Sequence, residues 1–179
     1  MKPIIHIPNP VLTSPAKPVT FFDKRLTSLI ADMTDALIKT KNPKGVGLAA
    51  TQIGEPYRVF VTRPTSKDPI RAFINPAIIA SSLDTKDLDE IEGKLEGCLS
   101  IPGIWGKVKR SIHVTLSYIN EKGITHEETF RDFQATIIQH ETDHINGILF
   151  THRVVEQKGK VYQAAHDKEG KEVLEEIRL

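Results

Sequence analysis

Two histidines four positions apart, with a carboxylate directly after the first, stand in the run Gln139-His140-Glu141-Thr142-Asp143-His144. On a helix, positions i and i+4 lie on one face about a turn apart, so both rings can reach one cation while Glu141 sits close enough to handle a water proton. That is half of a metallohydrolase. A bare H-E-x-x-H also arises by chance as a solvated surface turn. Here Phe133, Ile137, Ile138, Ile145, Ile148 and Leu149 make the segment apolar over much of its circumference, which predicts a buried helix. Buried imidazoles and a buried carboxylate need partners, and one cation satisfies all three.

Such a site needs a third protein ligand and an open position for water. In the metzincin pattern that ligand is a later histidine. Gly147 fits the pattern, but Phe150 stands at the ligand position and His152 comes two residues late. The better candidate is Cys98, the only cysteine, within Glu96-Gly97-Cys98-Leu99-Ser100. A lone cysteine is most often an inert core residue. Its turn-rich setting, continuing through Ile101-Pro102-Gly103, can nevertheless bring a thiolate to a cation, and Cys with two His is a known three-ligand set. A third segment, Gly45-Val46-Gly47-Leu48-Ala49-Ala50-Thr51-Gln52, combines glycines that permit close backbone approach with an amide that can face a developing oxyanion. Taken alone it reads equally as ordinary packing of small residues.

Together the three segments resemble the peptide deformylase family, whose pattern is G-φ-G-φ-A-A-x-Q, then E-G-C-φ-S, then Q-H-E-x-D-H, in that order. All defining positions match, the opening from His6-Ile7-Pro8-Asn9-Pro10 to Ala16-Lys17-Pro18-Val19 is similar too, and the resemblance covers residues 1–153. It implies that Cys98, His140 and His144 hold one divalent metal, with Fe(II) favoured and Zn(II) chemically suitable. Glu141 would be the general acid/base, and the Gln52 amide and Leu99 backbone N–H the oxyanion donors. The implied reaction is hydrolysis of the formyl group from formyl-methionyl nascent polypeptides, a co-translational step releasing formate, by attack of a metal-bound water. Val46, Gly47, Leu99, Phe133 and Ile137 are candidate walls of a methionine pocket, and substrate backbone pairing beside the first motif suits Gly45 and Gly47. Glu96 and Arg110 are candidates for a pair that orients the cysteine loop.

Trp105 stands where many bacterial relatives of that family carry an arginine, so contacts beyond methionine are expected to differ. The acidic run over 81–94 reads as a solvated loop. After Arg153 the chain departs from the long basic helix used by the best-known bacterial members in ribosome contact. Short runs at 160–164 and 172–177 flank Asp167-Lys168-Glu169-Gly170 and predict a hairpin, the second run being also compatible with a short helix. A transient ribosome contact is therefore expected without a transferable docking mode.

Two other readings stay open. One is a zinc peptidase with a downstream acid such as Glu156 as third ligand, which leaves Cys98 unexplained. The other is a non-catalytic domain that binds formylated N-termini, which leaves Glu141 without a purpose.

The elements that must position these groups follow from periodicity. Leu26, Leu29, Ile30, Met33, Leu37 and Ile38 predict a helix over 23–41, stopped by Pro43. Strands are expected at 58–62, 72–75, 113–118 and 127–130, with a turn at 120–123. The metal helix comes after them. The order predicts an α+β fold, antiparallel or mixed sheets around one central helix, with residues 1–179 as one catalytic domain and 154–179 as its divergent tail. A charge of +1 from 24 basic and 23 acidic residues gives no reason to invoke nucleic acid or an anionic membrane. The N-terminus lacks a secretory apolar run, and a single cysteine suits a reducing cytoplasm. His6, His113, His126 and His166 have no spaced partners and receive no role.

Overall fold

The computed structural model describes residues 2–40, 44–85, 95–166 and 172–177. Among these residues three α-helices, α1 (Lys24–Lys39), α2 (Asp132–Ile145) and α3 (Phe150–Glu156), combine with nine strands in two sheets. The first sheet has the order β1 (Gly47–Ala49), β2 (Val59–Thr62), β3 (Arg71–Ser81), β6 (His113–Ile119), β7 (Thr125–Arg131). The second runs β4 (Glu96–Cys98), β5 (Ile101–Gly106), β8 (Val161–His166), β9 (Glu172–Ile177). The fold class is α+β as expected, and every described strand pair within the sheets is antiparallel rather than mixed.

β2 is apolar throughout because the first sheet is covered on both faces. Val59, Val61, Ala72 and Ile74 turn toward α1, which presents Leu26, Leu29, Ile30, Met33 and Leu37 at helical spacing. Asp23 caps α1 by accepting from the Arg25 N–H at 2.9 Å, and Ile38 lies on the solvent side, half exposed. Phe60 and Phe73 point the other way, toward Ala135, Ile138 and Ile145 of α2. Phe73 forms ring contacts with Phe60, Tyr118 and Phe130.

α2 thus spends one stripe on the sheet and leaves His140, Glu141 and His144 for the other. It ends at Asn146, followed by Gly147 at φ +75°, where a side chain would meet the backbone of Thr13 and Ser14. Two expectations need correction. Phe133 lies near the start of α2 with 55% of its surface exposed, and Ile148 and Leu149 come after the helix has ended. The burial of α2 therefore rests on Ala135, Ile137, Ile138 and Ile145.

The expected strand at 72–75 runs on to Ser81 through irregular pairing with β6, and the acidic run from residue 86 to 94 lies outside the described residues. The tail is a hairpin, with both runs as strands, and β8 also pairs with β5. No described helix is long and apolar enough to cross a membrane.

The N-terminal segment laces the three motifs together. Ile5 N–H donates to Gln52 O at 2.8 Å, Ile7 N–H to Ser100 O at 3.1 Å, and Ala16 N–H to Ile145 O at 2.8 Å. Replacing Phe73 by alanine removes the ring at the centre of the aromatic cluster and is expected to cost about 3–5 kcal/mol. A urea titration reads this as a lower midpoint at unchanged slope. A midpoint like the parent's would show that the cluster does not hold the sheet to α2.

Candidate metal centre

The donor atoms of Cys98, His140 and His144 all lie within 4.8 Å of one another, at the junction of β4 and α2. Cys98 Sγ is 3.1 Å from His144 Nε2. His140 Nδ1 lies 2.9 Å from Glu96 Oε2, which fixes the ring and leaves Nε2 as the nitrogen it can offer to a cation. Glu96 in turn receives Arg110 through Nε at 2.9 Å and Nη2 at 3.0 Å, a bidentate pair. The expected Glu96–Arg110 pair therefore exists, and it holds the first histidine as well as the cysteine strand.

Residues without an assigned role in the motif extend this network. Asp143 accepts from Arg110 Nη1 at 2.6 Å and from Arg153 Nη2 at 2.7 Å. Gln139 clasps the Ser111 main chain, accepting from its N–H at 3.1 Å and donating to its O at 3.0 Å. Both stand within the Q-H-E-x-D-H pattern, the one signal that could have pointed to them. Phe150, at the metzincin ligand position, stacks on His140 with centroids 6.2 Å apart. His152 is outside the donor cluster. Glu156 is not a ligand either, because its exposed carboxylate pairs with Arg153 at 3.1 Å.

Gln52 is oriented by its own end of the first motif. Its Oε1 accepts from the Ala49 N–H at 2.9 Å, so Nε2 must face Ser100 Oγ at 3.2 Å and Cys98 Sγ at 3.5 Å. Glu141 is packed against Gly47, where an added Cβ would run into its carboxyl group.

Electrostatics follow from burial among these partners. Burial opposes ionisation of Glu96, yet Arg110 and His140 outweigh it and bring its pKa down to about 2. Burial likewise opposes the Cys98 thiolate, and the adjacent His144 and His140 bring that pKa well below the usual thiol value. Glu141 goes the other way. Burial pushes it up to about 7, with the two histidines resisting.

These groups suit a cation on chemical grounds. A thiolate and two imidazoles form a soft to borderline donor set, and buried Glu141 Oε2 has no hydrogen-bond partner among the described residues. Cys98, His140 and Glu141 border a cavity of about 930 Å³ that takes residues from all three motifs, including Val46, Gly47, Gln52 and Leu99. Phe133, Ile137 and Trp105 also line it. A smaller cavity of about 200 Å³ beside Arg71 and Phe130 contains none of the three donors.

The polypeptide deformylase family model matches residues 1–160. The chain belongs to the polypeptide deformylase family. It is 41% identical over 150 residues to a peptide deformylase of Pseudothermotoga lettingae, covering 84% of this chain and 81% of the relative. A peptide deformylase 1 of Burkholderia multivorans is 43% identical over 148 residues, 82% of this chain and 77% of that one. The crystal structure of peptide deformylase from Thermotoga maritima superposes with a TM-score of 0.76 at 37% identity, covering 86% of this chain and 97% of the other. Membership carries the activity of the family, removal of the N-formyl group from nascent polypeptides by a metal-dependent hydrolase.

The contact between Gly47 and Glu141 makes a direct prediction for this deformylase. Gly47→Ala forces the carboxyl group aside, and misplacing a reacting group by about 1 Å costs on the order of a hundredfold in rate. Formate release should fall by that order while metal content stays at the parent level. A variant as active as the parent would show that the carboxylate adapts to the methyl group.

Proposed function

We propose that Cys98, His140 and His144 hold the ion and that Glu141, Gln52 and Leu99 carry out the deformylation around it, residues 1–179 acting as one catalytic domain. The observation that carries this reading is the convergence of one thiolate and two imidazoles beside a buried carboxylate whose Oε2 has no partner among the described residues. A bound ion supplies a Lewis acid that makes water a nucleophile near neutral pH.

The protein's own groups account for the rest. Glu141, raised by burial to about 7, accepts the proton of the attacking water and returns it to the leaving amine. Gln52 Nε2 faces the donor cluster and serves, with the Leu99 N–H, as donor to the negative formyl oxygen. Val46, Gly47, Phe133 and Ile137 enclose the methionine side chain on the cavity wall. Glu96 and Arg110 hold His140 in the orientation that binding requires. Family resemblance favours Fe(II), with Zn(II) also matched to the donors. We place the reaction in the cytoplasm on nascent chains, with transient ribosome contact.

Formate release from a formyl-methionyl peptide, with metal content determined on the same anaerobic sample, tests the assignment. Cys98→Ala should lose the metal. Gln52→Ala should keep it and lose about a hundredfold in turnover. Glu141→Ala should also keep it and release almost no formate, whereas a pure N-terminus binder would not depend on that carboxylate. A Cys98→Ala protein with normal metal content would overturn the ligand assignment.

The pH dependence has a definite sign. Glu141 works as a base only when ionised, so kcat/KM should rise with pH on its acid limb. That limb should lie at or below about 7, because a bound cation favours the carboxylate in place of the positive charge that the metal-free histidines supply. An acid limb well above that value would remove Glu141 as the base.

A further inference from the structure

The cavity continues onto a surface that the three motifs do not explain. β5 pairs with β4 on one side and β8 on the other, and the register sets Gly97, Trp105 and Tyr162 opposite one another, with Glu176 next in the row. Directly paired residues of antiparallel strands point to the same face, with Cβ atoms about 4.5–5.5 Å apart. Trp105 lies so close over Gly97 that a Cβ there would overlap its ring, and both residues line the cavity. On the opposite face Val161 is buried and Ile177 packs beside it in the core shared with Cys98 and Phe150.

The face that carries Trp105 therefore turns away from the core and leads out of the cavity across the C-terminal hairpin. Beyond Tyr162 it presents Ala164 paired with Leu174, the latter 45% exposed. Glu176 on this face is neutralised by Lys160 at 2.8 Å. The result is an apolar ledge from Trp105 through Tyr162 to Leu174. By strand spacing and rise it is roughly 12 Å long, which an extended peptide covers in about three to four residues.

We propose that this ledge receives the side chains that follow formyl-methionine in the substrate, and that Trp105, Tyr162 and Leu174 give the enzyme a preference for apolar residues there. The inference rests on the deformylase reading. The occupant follows from continuity. The substrate is a polymer whose first residue occupies the cavity and whose chain must leave it, and Trp105 belongs to both the cavity wall and the ledge. The hairpin then acts as a specificity element as well as a border to β5.

The test compares formate release from formyl-Met-Leu-Phe-Leu and formyl-Met-Ser-Gly-Ser by the metal-loaded enzyme. The apolar peptide should be preferred by about tenfold in kcat/KM, the scale of discrimination by modest apolar contacts. Tyr162→Thr and Leu174→Thr, both compatible with a strand, should each move that ratio toward one through KM, since ledge contacts are the same in ground and transition states. An absent preference in the parent overturns the inference. So does a loss of equal factor on both peptides, which would make the hairpin a prop for β5 only. If neither peptide releases formate, the reading of the site fails and the inference with it.

Discussion

The clasp of Arg110 between Glu96 and Asp143 is the interaction on which the site depends. Glu96 belongs to β4 and Asp143 to α2, so one guanidinium fastens the cysteine strand to the histidine helix. All three groups are largely buried, and the desolvation of three charges is a heavy cost. Fork geometry, with both carboxylates satisfied and Arg153 adding a second cation at Asp143, compensates for it locally. Specificity of arrangement is the benefit. A thiolate and two imidazoles from separate sheet and helix layers meet only if β4 holds one register and one distance from α2.

That clasp also explains how α2 serves two purposes. Its Ala135, Ile138 and Ile145 stripe is pressed onto the aromatic cluster of the first sheet, while the turn-spaced His140 and His144 face β4. Glu141 falls between these demands, buried against Gly47 of β1. The raised pKa of this carboxylate is thus a consequence of packing, because the same burial that lets the sheet approach the helix excludes the water that would favour its ionised form. Glu96, on the wall of the same cavity, is driven in the opposite direction by its direct contacts with Arg110 and His140. Two carboxylates in one site are driven to opposite pKa values by their neighbours alone.

Much of this was legible in the chain. The i, i+4 histidines, the single cysteine between turn residues and the glycine-flanked Gln52 segment carry local chemistry, and local chemistry survives any fold that brings them together. Helix α1 and the strands around 58–62, 113–118 and 127–130 were readable because they are regular and amphipathic or continuously apolar. β4 and β5 were not. They are short, rich in glycine and joined by a turn, and their strand character comes from pairing with each other and with the distant β8. Phe133 could be read both as part of a buried helix face and as a pocket wall; at the start of α2 it is 55% exposed and lines the cavity.

By itself the sequence determined the reaction chemistry and the family, because ligand type, spacing and order along the chain suffice for both. For the tail it pointed to a hairpin but left a short helix open for the second run, and the pairing of β8 with β9 decided between them. Only the tertiary structure decided where that hairpin goes, that Asp143 rather than solvent answers Arg110, and that Trp105 stands between Gly97 and Tyr162. The physical reason is separation along the chain. The Arg110–Asp143 and Trp105–Tyr162 contacts join residues dozens of positions apart through buried charge and sheet register, and neither quantity is written in the local pattern of any one segment.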